Sequence, residues 1–496
     1  MKIKVKGAYV IGFEGNDHVV YKPGEVVFEG DTIIFTGFDF PGEVDQTIDA
    51  GFSIVSPGFI DLDALCDIDH SILDVAVLKN PYRGVMSNEL YRNHDFFTRE
   101  EKATKRRLSI IQLIQNGTTT AMPIAGDFLI GWDETYEEFA DAAQIASELG
   151  LRMYLGPCYH EAVWGGEELC FEEEKGLAGL EKACRFARDF DNKYSGLIKG
   201  FLAPVDTFGK TDQLLWKTKQ FSDDFNIPIR LHLGEDPGEI IFLHQKYGKT
   251  PVEFLDQIGF LGPLTLLPHC IYLGDQNRII KPTLDELGLI RDSGSSIIHT
   301  PVAEAHGGQA MVSFSRYIDA GVNMTMGSDT HPVDMIRNMD FAWNLSRIFE
   351  RGEVLGRKPD ETYAGRQTTA ADYFRAATIN GAKALGRDDL GKLAPGAKAD
   401  IITIDITPLQ VGPMDDPIRF LIMNTTGANV TNVIINGRIV MKDRNIPGIN
   451  HAEIRESSQR YFDKMKKSYS DQDELHRPPS TLFPESFKII EKSSSP

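Results

Sequence analysis

Eight short apolar runs, each closing on a small or polar residue, recur between residues 56 and 390, and they constrain the fold more than any other feature of the chain. They are SPGFIDLDAL, GTTTAMPI, LRMYLGPCY, IKGFLAPVD, IPIRLHLGE, LTLLPHCIYL, SSIIHTPVA and VNMTMGSDT. Longer amphipathic stretches such as TREEKATKRRLSIIQLIQNG and MVSFSRYIDAG occupy gaps between them. Strands that alternate with helices return parallel to one another, so the pattern predicts an α/β fold with a parallel sheet. Eight such units predict a TIM-like (β/α)8 barrel over residues 56–390. Residues 1–55 instead hold strand-like runs broken by Gly, Pro, Asn and Asp, and the same texture returns in ADIITIDI and NVIINGRIVMKD. A small β-sandwich domain built from 1–55 plus 391–450 is therefore expected. Residues 451–496 read as a C-terminal helix and a Pro/Ser-rich tail with spaced aromatics, either docked or mobile.

Composition narrows the partners. With 496 residues, 42% of them hydrophobic, the chain can bury a large core. A net charge of -20 with no basic run repels phosphate backbones and anionic lipid, so the expected partner is a small-molecule substrate, with no nucleic acid and no membrane. The N-terminus alternates like a strand and lacks a signal-peptide pattern, and no segment reaches the roughly 18 apolar residues of a membrane span. A cytoplasmic protein is the expectation. The five cysteines are odd in number and without CxxC spacing, which argues for free thiols rather than a disulfide framework or a thiolate zinc site.

In a barrel of this kind chemistry sits where strands end. The strand ends here supply Asp63, His160, His232 with Glu235, His269, His299 and Asp329. Imidazole nitrogen and carboxylate oxygen suit a hard or borderline divalent cation, and a catalytic site needs three protein ligands with one position open for water. His232 and Asp329 are the best ligands by type. Glu235, three residues beyond His232, suits a proton shuttle. His269 can either ligate or donate a hydrogen bond to the attacking oxygen.

Eight segments in order, SPGFID, NGTTTAM, HLGE, LLPHC, IDAGVNMTMGSD, AATINGAKALG, LGKLAPGAKADIITID and NVIINGRIV, give the chain its resemblance to the amidohydrolase superfamily. The resemblance is to its aminohydrolase, chlorohydrolase and deaminase branch. It implies one catalytic divalent metal ion per subunit, zinc by family habit, and a homo-oligomer. It also implies roles: His232 as fifth-strand ligand, Glu235 as proton shuttle, His269 beside the hydrolytic water, and Asp329 as ligand and base. Binuclear relatives carry a lysine or glutamate after strand four; Lys199 lies at the wrong end of its strand, so one ion is favoured.

The departure is at strand one. The family pattern PGFID-x-His-x-His becomes PGFID-Leu62-Asp63-Ala64-Leu65, resembling, loosely, family members that hydrolyse phenylureas and thiocarbamates. Period-two alternation predicts that Asp63 and Leu65 face the barrel mouth together. The metal set is then Asp63, His232 and Asp329, an oxygen-rich group that moves preference towards manganese, iron or cobalt. Asp67, Asp69 and His70 follow in the loop, where they either rescue the lost ligand or cap a helix. Tyr154, His160, Trp164, His299, His306 and His331 are candidates for lining the substrate pocket, each with an equally good structural reading. The expected chemistry is hydrolysis of a nonpeptide C–N bond in a linear amide, urea or carbamate. The alternatives are deamination of a cyclic or heteroaromatic amine, and a metal-free binding relative without turnover.

Overall fold

The structure is a computed structural model and describes residues 1–66, 97–124, 133–165, 168–274, 277–351, 365–409, 412–472 and 477–490. All eight sequence-predicted strands are present: Phe59–Leu65, Thr118–Ile124, Arg152–Leu155, Ile198–Gly200 continuing as Leu202–Asp206, Ile229–His232, Thr265–Pro268, Ser296–His299 and Asn323–Met326. They pair in parallel in chain order as two arcs that meet within strand four. Strand eight returns to strand one, where the Asp329 N–H donates to the Asp63 carbonyl at 2.7 Å. Gly327 makes that approach possible, since a Cβ there would lie 2.6 Å from the Asp63 Cβ.

Side chains sort by strand alternation. Ile60, Leu62, Met122, Tyr154, Phe201, Leu266 and Ile298 form one buried cluster with Ala382 and Leu385, while Ile229, Leu231, Leu267, Ile297, Met324 and Met326 join the larger cluster shared with the helices. Helix Arg99–Gln115 begins at a capping box on Thr98 and Glu101, and Tyr136–Leu149 begins at one on Thr135 and Glu138. In each, two otherwise orphaned N–H groups find acceptors within the motif.

Both termini build the flanking sheets. One has six strands in the order Arg438–Met441, Val430–Ile435, Ile401–Asp405, Ser53–Pro57, Tyr9–Glu14 and Asp17–Tyr21. The other has four, Thr32–Gly37, Gly24–Glu29, Lys2–Gly7 and Gln46–Asp49, and Ile3, Val5, Val26, Phe28, Val55, Ile401 and Ile434 are buried together across them. The run read from sequence as one strand, SPGFIDLDAL, is two: Ser53–Pro57 serves the sandwich and Phe59–Leu65 the barrel. Gly58 is the junction, where a Cβ would lie 2.1 Å from the Thr119 side chain.

Arg152 in barrel strand three and Asp400 beside the sandwich form a fully buried ion pair, with the Asn436 N–H donating to the same carboxylate at 2.8 Å. Removing one partner leaves the other charge buried and uncompensated. Arg152→Met is therefore expected to lower the unfolding free energy by about 3–5 kcal/mol, read from the midpoint of urea denaturation.

The C-terminal helix, His451–Gln472, lies against Arg99–Gln115 through the Lys464–Glu101 ion pair at 2.7 Å and through the Lys464 ammonium over the Phe97 ring. Leu482 and Phe483 beyond it are buried, whereas Phe487 is exposed. No described helix is long and apolar enough to cross a membrane. The described cysteines form no disulfide with one another.

Candidate active site

Strand five sets the frame of the site. Arg230 and His232 share its inward side, opposite Ile229 and Leu231. His232 Nδ1 is 2.7 Å from the Val205 carbonyl at the end of strand four, so Nδ1–H donates and Nε2 keeps its lone pair for the barrel mouth. His232 Nε2 lies 3.7 Å from Asp63 Oδ2, close to the roughly 3.4 Å edge of a tetrahedron with ~2.1 Å metal–ligand bonds.

His269 follows strand six. Its Nδ1 is 2.9 Å from the Thr300 hydroxyl, which itself reaches Glu304 at 3.4 Å. A hydroxyl that donates to Glu304 accepts from Nδ1–H, and this assignment leaves Nε2 to face the site. The His232 and His269 rings stack with centroids 5.3 Å apart. Ligand atoms of Asp63, His232 and His269 all lie within 4.8 Å of one another.

Two further observations show that this group suits a divalent cation. Asp63 is 0% exposed; its Oδ1 is ion-paired with Arg230 at 3.1 Å, while Oδ2, the oxygen turned to His232, has no hydrogen-bond donor. A buried carboxylate oxygen without a donor is costly unless a cation faces it. Around His269, burial opposes protonation, but the charges of Glu235, Asp329, Asp63 and Glu304 outweigh it and push the imidazole up to about 9. The opening is thus strongly anionic.

Backbone strain converges on the same place. Val205, His269, Cys270 and Asp329 all have positive φ, between 51° and 68°. Non-glycine residues seldom adopt this conformation, least of all a β-branched valine, and such strain gathers at functional sites. The turn at Val205 presents its carbonyl to His232. At Asp329 the turn lies beside the contact with Asp63.

The sequence reading gave the third ligand place to Asp329. Among the described residues, the three-donor group is Asp63, His232 and His269; Asp329 stands next to it through its main chain and acts electrostatically on His269 and Arg230. Glu235 lies at the rim with its side chain 48% exposed, Oε2 3.4 Å from His269 Nε2, and its carbonyl accepting from Gln309 at 2.9 Å. Glu239 underpins that turn: it accepts from the Gly234 N–H and the Thr207 hydroxyl, and burial pushes its carboxyl up to about 8.

Leu65 pairs with Ile124 of strand two, beyond an irregularity in the pairing between Asp61 and Ala64, and is 6% exposed with apolar neighbours in the large cluster. Two of the proposed pocket residues, His299 and His331, lie away from the three-donor group. His299 is on the outward side of strand seven with Ile297, with Nδ1 3.1 Å from Glu304 and its ring against Phe314. His160 is buried at the end of strand three, its N–H donating to Asp133 at 2.9 Å. His331 lines a 410 Å³ cleft with Ile111 and Phe462, between the Arg99–Gln115 and C-terminal helices. His306 is exposed, with Nδ1 3.5 Å from the Thr330 hydroxyl near the strand-eight end. Trp164 belongs to the hairpin Ala162–Gly165 and Glu168–Phe171, and its side chain lies outside the described residues, as do Asp67, Asp69 and His70.

Two residues essential to the geometry escaped the sequence reading. Asp61 accepts from the Ser328 N–H at 3.0 Å and hydroxyl at 2.6 Å, locking strand one to the segment that carries Asp329; burial pushes it up to about 6. Arg230 is buried with Nη1 3.1 Å from Asp63 Oδ1. Its signal was present in IRLH, as a charged residue inside an apolar strand two positions before a candidate ligand.

Known proteins resemble the chain over most of its length. The chain is 26% identical over 452 residues to the 5-methylthioadenosine/S-adenosylhomocysteine deaminase of Thermococcus sibiricus, covering 89% of this chain and 94% of that one. It is 26% identical over 469 residues to the 5'-deoxyadenosine deaminase of Methanosarcina barkeri, covering 93% and 98%. The fold matches the crystal structure of an adenosine deaminase from Xanthomonas campestris with bound zinc, at a TM-score of 0.75 and 18% identity, over 94% of this chain and 98% of that one. The amidohydrolase family model matches residues 54–440. With the barrel, its strand-end donors and a family match over most of its length, the chain belongs to the amidohydrolase family and is a metal-dependent hydrolytic enzyme.

Proposed function

We propose that the chain is a hydrolytic deaminase of a ring amine, of the amino-purine nucleoside type. The observation that carries this reading is the Asp63–His232–His269 group with Glu235 at its rim: an ion-binding set with a proton-transfer group 3.4 Å away. The sequence reading preferred a linear amide, urea or carbamate; relatives that span nearly the whole chain are named as deaminases, which favours the ring-amine alternative.

Asp63, His232 and His269 would hold one divalent ion per chain, which when bound supplies Lewis-acid activation of water. Lys199 is paired with Asp191 at 3.1 Å in the leading half of strand four, which supports a single-ion site. Asp329 accepts the proton of the attacking water. Glu235 carries a proton between the solvent-facing rim and the ring nitrogen and amine, which leaves as ammonia. Thr300 and Glu304 fix the His269 ring so that its Nε2 would be offered to the divalent ion. A cytoplasmic, self-associating protein completes the proposal, and light scattering checks the association.

The test is a coupled ammonia assay with adenosine, 5'-deoxyadenosine, S-adenosylhomocysteine, guanine, a triazine and a phenylurea. The expected result is ammonia release and ring conversion from a 6-aminopurine nucleoside. Turnover of the phenylurea alone would overturn the reading. Metal analysis is expected to find about one equivalent per chain.

A further inference from the structure

Arg230 is the cation already present at this site. Its Nη1 lies 3.1 Å from Asp63 Oδ1 and donates to the Met122 carbonyl at 2.9 Å, and its guanidinium stands 5.0 Å from the centre of the Phe201 ring. Both members of the pair are buried. The carboxylates of Asp63, Asp329, Glu134 and Asp61 all act on this one guanidinium. The Asp63 oxygen that faces His232 is the other one, Oδ2.

We propose that Arg230 is a positioning residue that balances the charge of the buried Asp63 carboxylate when no ion is bound, so that the fold does not depend on the divalent ion, and that it weakens the ion's binding. This inference rests on Asp63 taking part in the metal site as proposed above. Through Oδ1 the arginine fixes the rotamer of Asp63 and leaves Oδ2 directed at the ion position. The same positive charge repels a dication a few ångströms away, in a buried setting where screening is weak. Affinity is given up in return for an apo protein that stays folded and can exchange its ion. Hydrogen bonding to a main-chain carbonyl and packing on Phe201 keep the guanidinium from swinging aside when the ion arrives.

The test uses the full chain stripped with chelator, titrated with zinc and with manganese by calorimetry, and melted with and without each ion. Wild type, R230M and R230K are compared. Apo wild type is expected to melt cooperatively, with Tm raised by less than about 5 °C on adding metal. R230M is expected to bind metal at least about tenfold more tightly and to gain more than about 10 °C, because the ion then takes over the arginine's role as countercharge to Asp63. R230K, which keeps the charge, is expected to stay within about threefold of wild type in affinity. Metal binding by R230M that is equal to or weaker than wild type overturns the proposal. So does an apo wild type without a cooperative melt, or an R230M that fails to fold even with metal, since the ion then cannot take the arginine's place. None of these readouts involves a substrate. Tight metal binding without ring-amine turnover would overturn only the proposed function, and turnover with unaltered R230M affinity only this inference.

Discussion

Glu235→Gln is expected to lower kcat for ring deamination by about 10³-fold while leaving metal content and KM nearly unchanged. Glutamine preserves the length and shape of the side chain and can keep its place near His269 Nε2, now 3.4 Å from the carboxylate. It cannot accept and release a proton at neutral pH. General acid–base catalysis contributes about 10²–10⁴-fold, and here one group serves both the ring nitrogen and the departing amine. Glu235 is half exposed and its main chain is held independently by Gln309, so its substitution should cost little stability. A kcat within tenfold of wild type in steady-state assays would assign the proton transfer to another group.

His232→Ala is expected to act earlier in the reaction, on the ion itself. The imidazole is anchored at Nδ1 by the Val205 carbonyl and offers Nε2 to the site, 3.7 Å from Asp63 Oδ2. Its loss removes one of three donors and leaves that carbonyl without its donor. Metal content after dialysis should fall below about a tenth of an equivalent, and kcat/KM by at least about 10³-fold, the equivalent of about 4 kcal/mol of transition-state stabilisation. Partial recovery of rate in millimolar metal would accompany this result. Full metal content with normal kcat/KM, measured by elemental analysis and initial rates, would remove His232 from the site.

Much of this was legible in the sequence because strand length, period and terminal residue type are local properties. The runs IPIRLHLGE and LTLLPHCIYL announce both a strand and the side chain it delivers, and His232 and His269 were found that way. What was not legible depends on contacts between distant segments. The irregular pairing between Asp61 and Ala64 arises against strand two, so the facing of residues around it does not follow from alternation along strand one alone. His299 ends its strand just as His232 does, but its parity within Ser296–His299 puts it on the helix side, where Glu304 receives it. The Asp61–Ser328 and Asp63–Arg230 contacts join residues far apart in the chain, so no local pattern marks either pair.

The sandwich strand Ser53–Pro57 takes Ile401–Asp405 as its antiparallel partner. At a synthesis rate of about 5–20 residues per second, the early strand waits roughly 20 to 70 s on the ribosome before its neighbour emerges. During that interval an apolar edge is open to strands of other nascent chains. The barrel's first strand leaves directly from this waiting segment through Gly58, so its base is anchored only once residues near 400 have been made. Yield on overexpression should therefore depend on chaperone supply and growth temperature more steeply than the stability of the finished protein suggests.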